Sequence, residues 1–365
     1  MQKGFAPSFF KFRGKEKFEE VMNSSQATNE SVPPPCTAAE SLFGDLQPPS
    51  FFFQGFLILY IIINIITVPV IAVLNALVMI AVKTKSRLRA QKSNIVFAML
   101  ALTDLLVGIL AQPIFIDRMI SILLQESNGQ SCLTEILSFA ISNCLFTSSL
   151  LHLALASGER YVAIKYPYQH ITIVTESRLL VASLPTWLLA VMVHVALAVD
   201  TFLFYRINNI VIGLSFAVII FCHFSVYIET RRHAKQVAAQ QVTQEARKQF
   251  EKDKKAFKLT STIIGVLLLC YSPLMFCRLF LVIIYTPTLN TFYIIGFFAV
   301  TVVYLNSLLN PVIYCIRIRQ FRVAFIELTF RNVNVARAEE MERQWFGAQN
   351  VVVGREAEHY QGRPE

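Results

Sequence analysis

Residues 46–82, LQPPSFFFQGFLILYIIINIITVPVIAVLNALVMIAV, contain no Asp, Glu, Lys or Arg. A helix rises about 1.5 Å per residue and the bilayer hydrocarbon is about 30 Å thick, so roughly 20 apolar residues cross it. The stretch therefore holds at least one membrane-spanning helix. The whole chain is similarly biased, because 55% of its 365 residues are hydrophobic and 16% are charged. This apolar excess predicts an integral membrane protein.

Six more apolar stretches follow. In residues 279–316 the uncharged run is too long for one helix, and the turn-forming residues YTPTLNT at 285–291 divide it. Apart from Asp104, these stretches carry no charge. They are residues 93–116, 136–158, 179–199 and 207–228, one that begins near Leu259, and the end of residues 279–316. The sequence thus predicts an all-α membrane protein, a bundle of seven transmembrane helices.

Basic residues concentrate in alternate connections between the spans. The second and fourth connections hold only Arg118 and Arg206. The odd connections hold Lys83, Lys85, Arg87, Arg89 and Lys92, then Arg160, Lys165 and Arg178, then a long basic segment over residues 231–258. Because cytoplasmic loops carry the excess of Lys and Arg, we predict an extracellular N-terminus and a cytoplasmic C-terminus at the plasma membrane. The net charge of +9 suits anionic lipid headgroups and needs no nucleic acid.

This orientation defines the predicted organisation of the chain. Residues 1–50 are an extracellular tail whose sequons at Asn23 and Asn29 are candidate glycosylation sites. Residues 51–316 form the bundle, residues 317–330 a short helix on the cytoplasmic membrane surface, and residues 331–365 a cytoplasmic tail, flexible from residue 335. Cys36 and Cys132 are the cysteines expected outside, and whether they form a bridge stays open.

Polar side chains are costly within a span, so each one is a candidate functional residue. Asn75, Asp104 and Asn310 stand out, and the last two belong to recognisable motifs. The motifs are LALTDLL at residues 100–106, GERYVAI at 158–164, CYSP at 270–273 and NSLLNPVIY at 306–314, followed by Phe321 and Phe325 on one face of a short helix.

These motifs, in order and on the expected spans, resemble those of rhodopsin-like (class A) G-protein-coupled receptors over about residues 52–330. Three features depart from the usual family pattern. Ile219 stands where the fifth helix normally has proline, Tyr271 replaces the tryptophan of the sixth, and residues 200–209 lack the cysteine that bridges to the third helix. Within the family, the combination resembles the melanocortin, cannabinoid, lysophospholipid and adenosine receptors.

The resemblance implies three groups of site residues. A sodium ion or a hydrogen-bonded polar network is expected at Asp104, Ser149, Asn306, Ser307 and Asn310. Coupling to the G protein and the activation switch are expected at Glu159, Arg160, Tyr161, Tyr227, Asp253, Pro273, Pro311 and Tyr314. Arg160 is expected to pair with Glu159 beside it and with Asp253 at the base of the sixth helix. Ligand binding is expected at Ser142, Phe146, Tyr271, Leu274, Arg278 and Tyr304.

The implied partners are a heterotrimeric G protein, an extracellular ligand, membrane lipids and arrestin, with no cofactor besides the sodium ion. Ser142 occupies the place of the aspartate in amine receptors, which disfavours a monoamine ligand, and the apolar outer spans favour a lipid-like or other small molecule, with a peptide next.

Two other classes of protein remain for comparison. A seven-helix transporter or ion pump would use Asp104 as a relay, but the intramembrane acids form no chain across the bilayer. A zinc hydrolase would need clustered ligands, whereas the His residues are scattered.

Overall fold

The computed structural model describes residues 51–124, 129–199, 201–239, 244–283, 289–330 and 333–346. Within these ranges the regular secondary structure is helical, and seven helices are long and apolar enough to span a membrane. The predicted all-α fold with seven spans is confirmed.

The spanning helices extend well beyond the predicted apolar cores at several ends. They are α1 (Phe51–Thr84), α2 (Ser93–Leu124), α3 (Gly129–Lys165), α4 (Glu176–Val199), α5 (Thr201–Ala239), α6 (Gln244–Ile283) and α7 (Leu289–Arg317). Short helices occupy the first and third connections at Ser86–Arg89 and Pro167–Ile173. After α7 come α8 (Arg319–Thr329) and α9, which covers residues 335–346.

The bundle buries its polar side chains and exposes apolar ones, the reverse of a soluble protein. Asn75, Asp104 and Asn310 are each at most 1% exposed. Large apolar side chains on the outer surfaces of the spans are exposed, among them Ile66 on α1, Met192 on α4 and Leu269 on α6. Since lipid tails are themselves apolar, this surface suits a bilayer, and the polar groups find partners inside the bundle.

A π-helical turn at Val107–Ala111 interrupts α2. Beside it α1 and α2 approach closely: a Cβ atom added at Gly108 would lie 3.0 Å from Ile71 Cγ2 and 3.4 Å from the Ala72 nitrogen. A π turn accommodates one extra residue and so rotates the helix that follows it. Here the turn is followed by Gln112 and Phe115, both of which are buried in the bundle.

Gln112 belongs to a polar cluster that joins three helices in the outer half of the bundle. Its Nε2 donates hydrogen bonds to Asn64 Oδ1 at 3.0 Å and to Thr67 Oγ1 at 3.1 Å. Asn64 Nδ2 in turn donates to Thr301 Oγ1 at 3.1 Å. Side-chain hydrogen bonds of this kind between transmembrane helices contribute on the order of 1 kcal/mol each. The cluster therefore fixes the outer part of α7 against α1 and α2.

Helix α8 is amphipathic, as predicted, and packs under the bundle. Phe321 is fully buried, with its ring 5.6 Å from that of Tyr314 and 6.1 Å from that of Phe325. On another side, the buried carboxylate of Glu327 pairs with Lys85 and Arg87 of the first connection. The ends of α1 and α7 and the first connection are thus joined through α8.

Helix α9 was not expected, since the sequence was interpreted as a flexible tail from residue 335. The helix packs Ala338 and Met341 against Val323 and Ile326 of α8. Its Glu342 carboxylate, which is buried, accepts hydrogen bonds from the Nε atoms of Arg319 and Arg322 at 2.8 and 2.9 Å, and from Arg322 Nη2 at 2.6 Å. The apolar residues of this segment are spaced as on one face of a helix, but the many charged residues between them obscured that pattern in the sequence.

Docking of α9 should depend on pH. Burial disfavours the ionised form of Glu342, but hydrogen bonds from Arg319 and Arg322 outweigh it, so the pKa of this carboxyl lies below its usual range. A depressed pKa stabilises the docked helix above the ordinary value of about 4.3, and this contribution is lost as the pH falls through the lowered pKa.

Glu342→Gln should therefore weaken docking at neutral pH by about 1–2 kcal/mol, because it removes the charge that accepts three hydrogen bonds from partly exposed arginines. In a Trp187→Phe background, the fluorescence of Trp345, whose ring lies 6.0 Å from that of Phe330, reports the docked state. The emission should shift to the red in Glu342→Gln. Arg343→Gln, which changes an exposed neighbour, serves as the control. Equal emission in both variants would contradict the clamp.

Candidate functional site

A polar network lies between α2 and α7 in the middle of the bundle. The two carboxylate oxygens of Asp104 accept hydrogen bonds from Ser307 Oγ at 2.7 Å and Asn310 Nδ2 at 2.8 Å. Asn75 Nδ2 donates to the backbone oxygens of Ile71 at 2.9 Å and Ser307 at 3.1 Å. The network thus joins α1, α2 and α7 around a single carboxylate.

Several oxygen atoms of this region are buried and have no hydrogen-bond partner among the described residues. They include Ser149 Oγ, Asn306 Oδ1 and Asn310 Oδ1. A buried polar atom without a partner is costly, so such atoms usually contact a water molecule or an ion. A small hard cation prefers carboxylate, hydroxyl and amide oxygens, and these are the groups that Asp104, Ser149, Asn306, Ser307 and Asn310 carry. The residues predicted to hold sodium therefore fit the ion chemically.

A second cluster lies at the C-terminal end of α3. Arg160 Nε donates to Glu159 Oε2 at 2.8 Å, and Ser93 Oγ from the start of α2 donates to the same oxygen at 2.9 Å. The other carboxylate oxygen, Glu159 Oε1, lies 2.8 Å from His170 Nε2 on the Pro167–Ile173 helix. The Glu159 side chain is 2% exposed. One buried carboxylate therefore joins α2, α3 and the third connection.

The remaining coupling residues are dispersed in this conformation. Tyr314 is buried and stacks on Phe97 of α2 with ring centres 5.0 Å apart. Tyr227 on α5 is 40% exposed and lies beneath Arg231, whose Cζ is 4.9 Å from the ring. Tyr161 contacts Phe221, with ring centres 5.9 Å apart. The structure therefore does not bring these tyrosines together around Arg160.

Other predicted switch residues are placed only in part. Pro273 lies within α6 and Pro311 within α7. Asp253, the predicted partner of Arg160, has a side chain outside those that the structure describes, and so has Arg278. The sequons at Asn23 and Asn29 and the residue Cys36 lie outside the residues that the structure describes. Cys132 lies in α3, but its side chain is not among those described.

A small cavity opens between α3, α5 and α6, with a volume of about 20 Å³, enough for roughly one water molecule. Three of the predicted ligand residues line it, namely Phe146, Tyr271 and Leu274. The sequence did not identify the other lining residues, which are Asn143, Thr147, Leu150, Ile212 and Met275. The walls are mostly apolar and carry amide and hydroxyl groups but no charge.

Ser142 and Tyr304 lie beside the cavity and not among its lining residues. Their hydroxyl oxygens are 2.7 Å apart, so the side chains satisfy each other between α3 and α7. The Tyr304 ring packs on Phe146, with centres 5.5 Å apart, and on Phe115 at 5.3 Å. These two residues support the cavity wall from behind.

Sequence reasoning missed Ser93, His170, Asn143 and Thr147. Each is a common polar residue in a position that becomes informative only when its partner on another helix is known. His170 offered a weak indication, because it lies in the short loop that follows the Glu-Arg-Tyr motif.

The structure is that of a multi-pass membrane protein with a small cavity, a central buried carboxylate and a Glu-Arg pair at the C-terminal end of α3. The family model for the 7 transmembrane receptor (rhodopsin family) matches residues 74–203 and 199–314. The chain belongs to this family. Rhodopsin-family receptors are not enzymes, which argues against the zinc hydrolase weighed as an alternative.

Curated relatives match more distantly. The Alpha-1A adrenergic receptor of Bos taurus is 24% identical over an alignment of 231 residues, and that of Homo sapiens is 24% identical over 238 residues. Each alignment covers 49% of this chain and 49% of the relative. The chain thus spans about half the length of the curated relatives it matches. The resemblance to the melanocortin, cannabinoid, lysophospholipid and adenosine receptors stays a prediction.

Proposed function

We propose that the chain is a receptor that transmits the binding of an extracellular ligand to a heterotrimeric G protein. The observation that carries this proposal is the cluster at the end of α3, where Glu159 holds Arg160 close to the mouth of the bundle. An arginine that is partly buried and paired with a single carboxylate is available to a second partner once the pair opens. The third connection contributes to the same cluster through His170.

Signalling proceeds by a shift between two helix arrangements. The cavity borders α6 at Tyr271 and Leu274, two residues before and one residue after Pro273. A ligand that binds better to an outward-tilted α6 favours that arrangement, since a ligand shifts an equilibrium by its difference in affinity. The tilt would open a cytoplasmic cleft with Arg160, Tyr227 and Tyr314 at its floor for a G-protein helix.

The lining of the described cavity favours a lipid-like or another largely apolar small molecule, which would bind after the helices separate to widen the cavity. Phe146, Leu150 and Met275 supply apolar walls, while Asn143 and Thr147 offer hydrogen bonds to an uncharged polar group. A peptide is the second choice. The described lining residues include no acidic side chain, which disfavours a cationic amine as the ligand of this chain.

We further propose that Asp104 and the oxygen atoms of Ser149, Asn306, Ser307 and Asn310 hold a sodium ion. The ion would supply the positive charge that the carboxylate otherwise lacks within the membrane. The chain's own residues orient the carboxylate through two hydrogen bonds, from Ser307 and Asn310.

In the proposed orientation the N-terminus faces outward at the plasma membrane and α8 contacts lipid headgroups. Arrestin is a further proposed cytoplasmic partner.

Coupling is tested by nucleotide exchange on purified G proteins without agonist. Asp253→Ala should raise exchange, since a partly wet ion pair contributes about 1–2 kcal/mol, roughly a five- to thirtyfold shift in the resting equilibrium. Arg160→Ala should abolish exchange, because the arginine also contacts the G protein. Arg89→Ala, an exposed arginine of the first connection, is the control. If Asp253→Ala matches the wild type at equal expression, Glu159 holds Arg160 without that partner.

The ligand proposal is tested by filling the cavity. Leu274→Trp should abolish responses to the active members of a panel of fatty acids, monoacylglycerols, acyl amides and lysophospholipids. Leu268→Trp changes a lipid-exposed leucine of the same helix and should leave them intact. A panel in which a cationic amine is the best agonist, unaffected by Leu274→Trp, would contradict the proposed pocket.

The sodium proposal is tested by thermal unfolding in detergent, in sodium chloride and in the chloride of a bulky organic cation. An ion that binds the folded state raises its stability by mass action, so the wild type should unfold at a higher temperature in sodium. Asp104→Asn should remove this difference. Asp117→Asn, an exposed acid on the same helix, should retain it. Identical wild-type unfolding in both salts would contradict the ion.

A further inference from the structure

Helices α5 and α6 meet in their cytoplasmic halves through a small group of polar and aromatic side chains. His223 Nε2 on α5 lies 2.8 Å from Ser261 Oγ on α6, in hydrogen-bond contact. The His223 ring stacks on Phe257, with centres 5.1 Å apart and planes inclined by 26°. Phe257 also contacts Tyr227, with ring centres 6.4 Å apart. Residues one helical turn apart on each helix therefore form a continuous contact.

The lipid tails around this contact offer no hydrogen-bond partner to its two polar groups. The neighbouring side chains Ile219, Val226 and Ile264 are buried and apolar. If α6 moved away from α5, the imidazole nitrogen and the serine hydroxyl would lose their hydrogen bond. Each group would then face lipid or bind interfacial water. A hydrogen bond between transmembrane helices contributes a modest but real stabilisation in that setting.

The position along α6 gives the contact mechanical significance. Ser261 precedes Pro273 by about three helical turns, so a tilt about the proline displaces Ser261 more than any residue nearer the cavity. The same displacement would lift Phe257 from the ring of Tyr227. Tyr227 is one of the residues proposed to form the floor of the open cleft.

We propose that the His223–Ser261 pair is the tie that holds α6 against α5 in the resting receptor, and that its loss favours the open arrangement. The proposal rests on the proposed receptor function and adds a positioning residue, His223, that acts through α6. Phe257 couples the tie to Tyr227, so that the same movement of α6 breaks the hydrogen bond and frees the tyrosine for the cleft.

The first experiment measures agonist-free nucleotide exchange in nanodiscs at matched expression. Ser261→Ala and His223→Phe should each raise exchange, by about two- to tenfold for one neutral hydrogen bond. His223→Phe retains a ring to stack on Phe257. The double variant should exceed neither single variant, because both remove the same interaction. Ser261→Thr and His223→Gln retain hydrogen-bonding atoms and should stay near the wild type.

Ser215→Ala is the matched control, since Ser215 is a buried α5 serine whose hydroxyl donates to the Val211 carbonyl of its own helix at 2.7 Å. It should leave exchange unchanged. A purely structural role would lower the unfolding temperature of Ser261→Ala and His223→Phe without raising exchange, and this result would overturn the proposal. So would effects of the two substitutions that multiply in the double variant.

A second readout does not depend on any G protein. Spin labels attached through Lys83→Cys on α1 and Lys258→Cys on α6, both exposed, report the distance between the cytoplasmic ends of these helices. The Ser261→Ala and His223→Phe variants should populate a longer distance than the wild type, and Ser215→Ala should not. Unchanged distances in both variants would overturn the tie. Longer distances without exchange on any G-protein class would preserve the tie and contradict the proposed function instead.

Discussion

Every hydrogen-bonding group that lies within the hydrocarbon layer must find its partner inside the protein, because lipid tails supply none. This constraint explains the helices, whose backbones satisfy themselves, and it explains where the polar side chains lie. Asp104 is bonded by Ser307 and Asn310, and Gln112 by Asn64 and Thr67. Each such group joins helices that are distant in sequence. The internal polar contacts therefore determine which helices stay together and which can separate.

The contacts are distributed unequally over the bundle. Helices α1, α2 and α7 are joined at three levels: by the Gln112 cluster outside, by the Asp104 network in the middle and by α8 with Glu327 beneath. Between α5 and α6 the His223–Ser261 bond lies among apolar and aromatic contacts. One side of the bundle thus has the properties of a fixed block, and the other side can move at a modest cost in free energy.

The sequence predicted the parts of this arrangement that depend on local pattern. Apolar length identified the spans, and the spacing of Glu159, Arg160, Asp104 and Pro273 within recognisable motifs identified the family. The partners of these residues could not be predicted, because Ser93 and His170 reach Glu159 only through the packing of α2 and the third connection. Ser142 and Tyr304 were assigned to the ligand site by position, yet their hydroxyl groups bond each other, which only the distance between α3 and α7 could reveal. Helix α9 was missed since its stability comes from α8 and Glu342 more than from its own composition.

The π turn at Val107–Ala111 has a consequence for evolutionary comparison. Such a turn is geometrically an insertion of one residue into an otherwise regular helix. Positions in the outer half of α2, including Gln112 and Arg118, are therefore offset by one from those of any homologue whose second helix is regular. An alignment without a gap in this helix would pair Phe115 with residues that occupy a different face. Covariation and ancestral reconstruction for this region need that gap to be placed between Leu106 and Gln112.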